Sequence, residues 1–143
     1  MIGQRDISIR SACKAAHSFI GTPYRHQGRA PGAGLDCIGL VVASLEAAGI
    51  DISGLPSDYS HIPKPKVILS NIARYCDVVA EMAPGDILVM ALRTHPQHLA
   101  LYVGDNQIIH SYMAAGKVVK HDLTDNYKNK IHSIYRMKDG LFI

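Results

Sequence analysis

Apolar residues recur at three- and four-residue steps in the first half of the chain and in short, closely spaced runs in the second. Over residues 6–20, Ile9, Ala12, Cys13, Ala16, Phe19 and Ile20 fall on one face, which predicts an amphipathic helix. Gly21-Thr22-Pro23 stops it. Residues 21–35, rich in Gly, Pro and Arg, read as a loop. A second helix is predicted from Cys37 to Ala48, with Ile38, Val41, Val42, Leu45 and Ala48 as its buried stripe and Gly49 just past its end. Gly54, Pro56, Pro63 and Pro65 make residues 50–65 a further loop. A third helix is expected over Lys66–Tyr75, burying Ile68, Ile72 and Tyr75.

The texture changes at Pro84-Gly85-Asp86. Short β-branched or aromatic runs follow, separated by Gly, Asp and Asn: Ile87–Ala91, His98–Val103, Gln107–Tyr112, Lys117–His121 and Ile131–Met137. They read as strands, and Gly104-Asp105-Asn106 as a hairpin turn. Helices first and an antiparallel sheet second point to an α+β fold. No internal repeat, linker or low-complexity tract divides residues 1–143, so a single domain is expected.

Composition agrees with that picture. The chain is 48% hydrophobic and 19% charged, enough to bury a core and unlike a disordered segment. A net charge of +3 is too small to imply nucleic acid as a partner. No apolar run approaches the ~18 residues of a membrane span. The start, Met1-Ile2-Gly3-Gln4-Arg5-Asp6, has no apolar stretch behind it, so no secretory signal peptide is read there and synthesis in the cytoplasm is expected. The three cysteines, Cys13, Cys37 and Cys76, form no Cys-x-x-Cys pair. Neither a structural zinc site nor a disulfide framework is expected. Cys13 and Cys76 are expected in helices, as buried packing.

Cys37 stands apart because Asp36 precedes it at the start of a helix. An N-cap Asp accepts backbone N–H bonds. A thiol at a helix N-terminus is expected to ionise more easily than a free one, which titrates near about 8.5. A thiolate nucleophile needs a base, and histidine titrates in the right range. Of the eight histidines, His98 and His110 lie six residues either side of Gly104, so a hairpin centred there brings them together. One imidazole beside another can fix its tautomer. Singly, each of these residues is more often plain structure: Cys37 a small buried hydrophobe, a strand histidine a surface or satisfied core group. The combination carries the case.

That combination resembles the NlpC/P60 family of cysteine peptidases. Gly21-Thr22-Pro23-Tyr24 resembles the family's Gly-x-Pro-Tyr element, and Asp36-Cys37-Ile38-Gly39-Leu40-Val41 its Asp-Cys-Ser-Gly-Leu-Val motif. Pro84-Gly85-Asp86-Ile87-Leu88, His98-Leu99-Ala100-Leu101-Tyr102-Val103-Gly104 and Ile109-His110-Ser111 resemble its later elements, in the same order. The resemblance implies a reduced papain-like fold, N-terminal helices packed on a small antiparallel sheet. It implies hydrolysis of amide bonds in peptidoglycan peptide stems, commonly the γ-D-glutamyl link to a diamino acid, with neither metal nor organic cofactor. Residue by residue, Cys37 corresponds to the nucleophile, His98 to the base and His110 to the residue that orients it. Tyr24 corresponds to a tyrosine lining the cleft, Asp36 to an N-cap that can also contact substrate, and the Cys37 backbone N–H to an oxyanion donor. Arg25, with His26 and Arg29, forms a basic loop that can meet stem carboxylates or simply be solvated. Apart from the resemblance, His95 and His98 have the spacing of a His-x-x-His metal pair, but no third ligand of standard spacing is nearby, so His95 is expected as a loop residue at the mouth of the cleft.

Two departures stand out: Ile38 replaces the usual serine, and Leu99-Ala100 replaces Val-Gly. The Ile38 side chain is expected to point into the helix packing. The longer string Gly21-Thr22-Pro23-Tyr24-Arg25-His26-Gln27, with Asp36-Cys37-Ile38-Gly39-Leu40, resembles the branch encoded with tail genes of phages, prophages and gene-transfer agents. That branch implies tail proteins as partners and delivery to the cell wall by a virion. Competing readings are a thiol acyltransferase or amidase on the same chemistry, and a non-catalytic tail-assembly or wall-binding module.

Overall fold

A computed structural model describes residues 3–50, 52 and 64–142. Most of the loop expected over 50–65, with His61, lies outside the described residues. Helix α1 (Gln4–Ser18) buries Ser8, Ala12 and Ala16. It ends two residues earlier than expected, so Ile20 leaves the buried face and is 44% exposed. The loop that follows contains a minimal hairpin of β1 (Arg29–Ala30) and β2 (Gly34–Leu35).

Helix α2 (Cys37–Ala47) buries every residue from Ile38 to Leu45, well beyond the predicted stripe. A helix apolar on all sides is a core helix; this one packs on α1 and on the strands beneath it. Its one buried hydroxyl, Ser44, donates to the Leu40 carbonyl at 2.7 Å. Ile38 joins Val41, Leu45, Ile87 and Leu99 in the core, as expected of its side chain. Helix α3 (Pro65–Ala73) starts on a proline, as first-turn positions allow, and buries Ile68 and Ile72. No helix of the described residues is long and apolar enough to cross a membrane.

Six strands follow: β3 (Cys76–Val79), β4 (Ile87–Met90), β5 (His98–Gly104), β6 (Gln107–Tyr112), β7 (Lys117–Asp122) and β8 (Ile131–Met137). They form one antiparallel sheet in the order β3-β8-β4-β5-β6-β7. A single turn of helix, α4 (Asp125–Lys128), joins β7 to β8. The expectation that Cys76 sits in a helix is corrected here. Helix α3 stops at Ala73, and Cys76 opens β3 opposite Met137 of β8. A strand this short carries too little periodicity to be read locally; its partner sixty residues on defines it. Asp86, 1% exposed, ties β4 to β8 through Arg136, whose Nε and Nη2 donate to its two oxygens at 3.0 and 2.9 Å.

The two faces of the sheet differ. Leu101, Ile109 and Val118 point toward α1 and α2. Ala100 and Ile108 point the other way, with Leu123 and Tyr127 over them. At the turn, Gly104, Asp105 and Asn106 all have positive φ (90°, 53° and 59°), conformations that Gly, Asn and Asp tolerate best. The register shifts between Tyr102 and Gly104, leaving Leu101 opposite Ile109. His98 and His110 therefore share a face but meet diagonally rather than as a directly opposed pair.

Candidate active site

The start of α2 is held by Asp36, 2% exposed. Its Oδ1 accepts from the Gly39 backbone N–H at 2.7 Å, the expected N-cap bond. Its Oδ2 accepts from the Gln27 backbone N–H at 2.8 Å, and Arg29 Nη1 lies 3.3 Å from Oδ1. One carboxylate thus anchors both the helix and the loop in front of it. The loop presses so close that a Cβ on Gly39 would overlap the Gly28 carbonyl oxygen. The glycine two positions after the cysteine is a steric requirement.

Tyr24 is tied in through its N–H to the Gly116 carbonyl at 2.8 Å and bridges to Leu35. Its half-buried phenol is pushed up to about 12, by burial first and then by the neighbouring Cys37 and Asp36. Arg25 is exposed, and its side chain lies over Gly34. His95 is exposed in the loop between β4 and β5.

The thiol itself departs from the simple expectation of easy ionisation. Burial pushes the Cys37 pKa up to about 12, and the Asp36 carboxylate adds to the rise. The backbone N–H groups of Leu99, Ile38 and Cys37 pull the other way without reversing it. Desolvation outweighs the helix terminus here. The Leu99 contact also places the thiol against the residue that follows His98.

His98 Nε2 lies 2.6 Å from His110 Nδ1, with the rings edge-on and 4.8 Å between centroids. Nε2 being committed, Nδ1 is the ring nitrogen of His98 left to take a proton. Burial lowers His98 to about 4. His110, fully buried, falls to about 2 through burial first, then through His98 and His121. Both imidazoles are neutral at pH 7. The expected pairing of the two histidines is thus present.

Sequence reasoning missed three aromatic neighbours. Tyr112 stacks on the His110 ring at 5.2 Å and 7°. His121 Nδ1 lies 3.0 Å from His110 Nε2, and the Tyr127 hydroxyl 3.1 Å from the same Nδ1. The strand carrying His121 was legible, but its register against β6 was not. Among the described residues no group of three or more His, Cys, Asp or Glu is placed to hold a metal ion.

The profile of the NlpC/P60 family matches residues 21–137. A probable endopeptidase of Mycobacterium tuberculosis is 31% identical over 98 residues, 68% of this chain and 22% of that protein. The gamma-DL-glutamyl hydrolase of Bacillus subtilis is 27% identical over 133 residues, 88% of this chain and 29% of that protein. The chain therefore spans less than a third of the length of these relatives. Among solved structures, the peptidoglycan hydrolase RipB from M. tuberculosis superposes with a TM-score of 0.68 at 21% identity, covering 94% of this chain and 67% of that one. An NlpC/P60 family protein from Bacillus cereus superposes with a TM-score of 0.68 at 25% identity, covering 96% and 43%. The α+β architecture is thus the papain-like one expected.

Proposed function

Because the chain belongs to the NlpC/P60 family, we propose that it is a cysteine peptidase that hydrolyses an amide bond in the peptide stems of peptidoglycan. The observation that carries this reading is the His98–His110 hydrogen bond, next in the chain to Leu99, whose N–H meets the partly buried Cys37 thiol. The B. subtilis gamma-DL-glutamyl hydrolase makes a γ-linked glutamyl amide the first bond to test.

In the proposed mechanism the resting pair is neutral, thiol and imidazole. As Cys37 Sγ attacks the carbonyl carbon, the thiol proton passes to His98 Nδ1. The backbone N–H of Cys37, at the first position of α2, holds the developing oxyanion. His98 then protonates the leaving amine as the C–N bond breaks, leaving a thioester. Water, losing its proton to His98, attacks the thioester; the C–S bond breaks and Sγ recovers the proton. His110 keeps the His98 ring oriented throughout. Tyr24 lines the cleft beside the thiol, Arg25 faces incoming stem carboxylates, and Asp36 serves chiefly as the anchor of loop and helix. The motif string from Gly21 to Gln27 supports delivery to the cell wall with phage-type tail proteins.

The test is digestion of purified peptidoglycan from several wall types, with fragments identified by mass spectrometry. New stem fragments from the native chain and none from Cys37→Ala are expected. An equal fragment pattern from the two proteins, or no fragments from any wall, overturns the peptidase reading.

A further inference from the structure

The histidine pair does not end at His110. Strands β5, β6 and β7 lie side by side, and each contributes one imidazole to the same sheet face. His110 is opposite Val119 and Ile108 is opposite His121, so His121 meets His110 diagonally, as His110 meets His98. The contacts run His98 Nε2 to His110 Nδ1 at 2.6 Å, His110 Nε2 to His121 Nδ1 at 3.0 Å, and Tyr127 hydroxyl to His121 Nδ1 at 3.1 Å. Successive rings are edge-on, at 72° and 76°. Tyr112 stacks on His110 and Tyr127 on His121, so the middle and last rings are held in place.

We propose that His121, supported by the Tyr127 hydroxyl, is a positioning residue that fixes the tautomer of His110 and thereby the direction in which His98 is oriented. The proposal rests on the catalytic reading of Cys37 and His98 given above. A neutral imidazole has one N–H and one lone pair, and burial keeps His110 neutral. When His98 holds the thiol proton, both of its nitrogens carry hydrogen, so Nε2–H must donate to His110 Nδ1. The single proton of His110 must then sit on Nε2 and be donated to His121 Nδ1. His121 satisfies this only as its Nε2–H tautomer, with a lone pair on Nδ1. In that tautomer the Tyr127 hydroxyl, 3.1 Å from the same nitrogen, shares the Nδ1 lone pair as a second donor. A proton on His121 Nδ1 would instead drive the His110 proton onto Nδ1. That would set two donors against each other 2.6 Å apart at His98. No proton crosses the relay during turnover; only the thiol proton moves, to His98 Nδ1.

The experiment uses the full chain with 15N-labelled histidine. NMR reads which His110 nitrogen is protonated, and kinetics on a stem peptide read kcat and KM separately. In the native chain His110 is expected as the Nε2–H tautomer. His121→Phe keeps a ring but removes the acceptor. It should mix the His110 tautomers and lower kcat by about 10- to 100-fold with KM little changed, a part of the roughly 10⁴-fold that a wrong-tautomer partner costs a triad directly. His121→Asn, whose amide oxygen can replace Nδ1 as acceptor, should restore most of the rate, and Tyr127→Phe should fall between. Should His121→Phe fail to fold, His121→Asn and Tyr127→Phe carry the same comparison. A native His110 protonated on Nδ1, or a Tyr127→Phe chain with unchanged tautomer and unchanged kcat, overturns the proposal. The tautomer measurement needs no turnover, so an inactive native chain would sink the peptidase reading while leaving this one decided by NMR.

Discussion

Asp36 joins stability to thiol chemistry, and Asp36→Asn separates the two. The carboxylate accepts the Gly39 N–H at 2.7 Å and the Gln27 N–H at 2.8 Å through different oxygens. An amide has one oxygen, so whichever way it turns, one of those N–H groups faces an NH2. A buried donor left without an acceptor costs about 1–3 kcal/mol. The Arg29 contact, at 3.3 Å with Arg29 part-exposed, adds no more than about 1 kcal/mol. Asn caps a helix about as well as Asp, so the helix start itself survives. The expected loss is about 1–4 kcal/mol, or roughly 3–12 °C in Tm at about 3 °C per kcal/mol for a chain of this size. Asp36→Ala should lose about 1 kcal/mol more with the cap. The thiol moves the other way. Asp36 raises the Cys37 pKa, so removing its charge favours the thiolate and lowers the pH at which Cys37 alkylates. Thermal and urea melts give the first quantity. Iodoacetamide labelling across pH, read at the Cys37 peptide so that Cys13 and Cys76 do not contribute, gives the second. An Asn variant as stable as the native chain, or an alkylation midpoint unmoved or raised, would refute the reasoning.

Other perturbations test the surrounding geometry. Gly39→Ala should destabilise by about 1–3 kcal/mol in urea melts, despite the ~1 kcal/mol that alanine gains over glycine in a helix, because its Cβ meets the Gly28 carbonyl; a stabilised variant would show that the loop yields. His98 must be neutral to act as base and is lowered to about 4, so the acid limb of kcat/KM should fall near that pH; a limb at the ordinary histidine value near 6.5 would contradict it. The same depression couples folding to pH. Between about 6.5 and about 4 the unfolded chain holds a proton at this position that the folded chain does not. Stability from His98 is therefore present above about 6.5 and lost as pH falls toward 4, with His110 extending the loss toward about 2. Differential scanning calorimetry from pH 7 to 4 should show Tm falling, and His110→Gln should flatten the fall.

Much of the site is local in sequence and was legible there. The Asp36 cap, the first turn of α2 and the succession along the chain of the segments that become β4 to β8 follow from neighbours a few residues apart, and periodicity and turn chemistry report such neighbours directly. So does the pairing of His98 with His110, because one hairpin carries both. What escaped involves partners far apart in the chain. β3 exists because Cys76 pairs with Met137. The rise of the Cys37 pKa comes first from burial, against a core that includes residues as far away as Ile87, Leu99 and Met137, which no window around Cys37 contains. The diagonal placement of the histidines follows from a register shift at the turn, and the recruitment of His121 and Tyr127 from the register of a third strand. By itself the sequence determined which residues were available for thiol chemistry and which elements would carry them. Only the tertiary structure decided their protonation and their company, because desolvation and cross-strand contact depend on everything packed around a group rather than on what precedes and follows it in the chain.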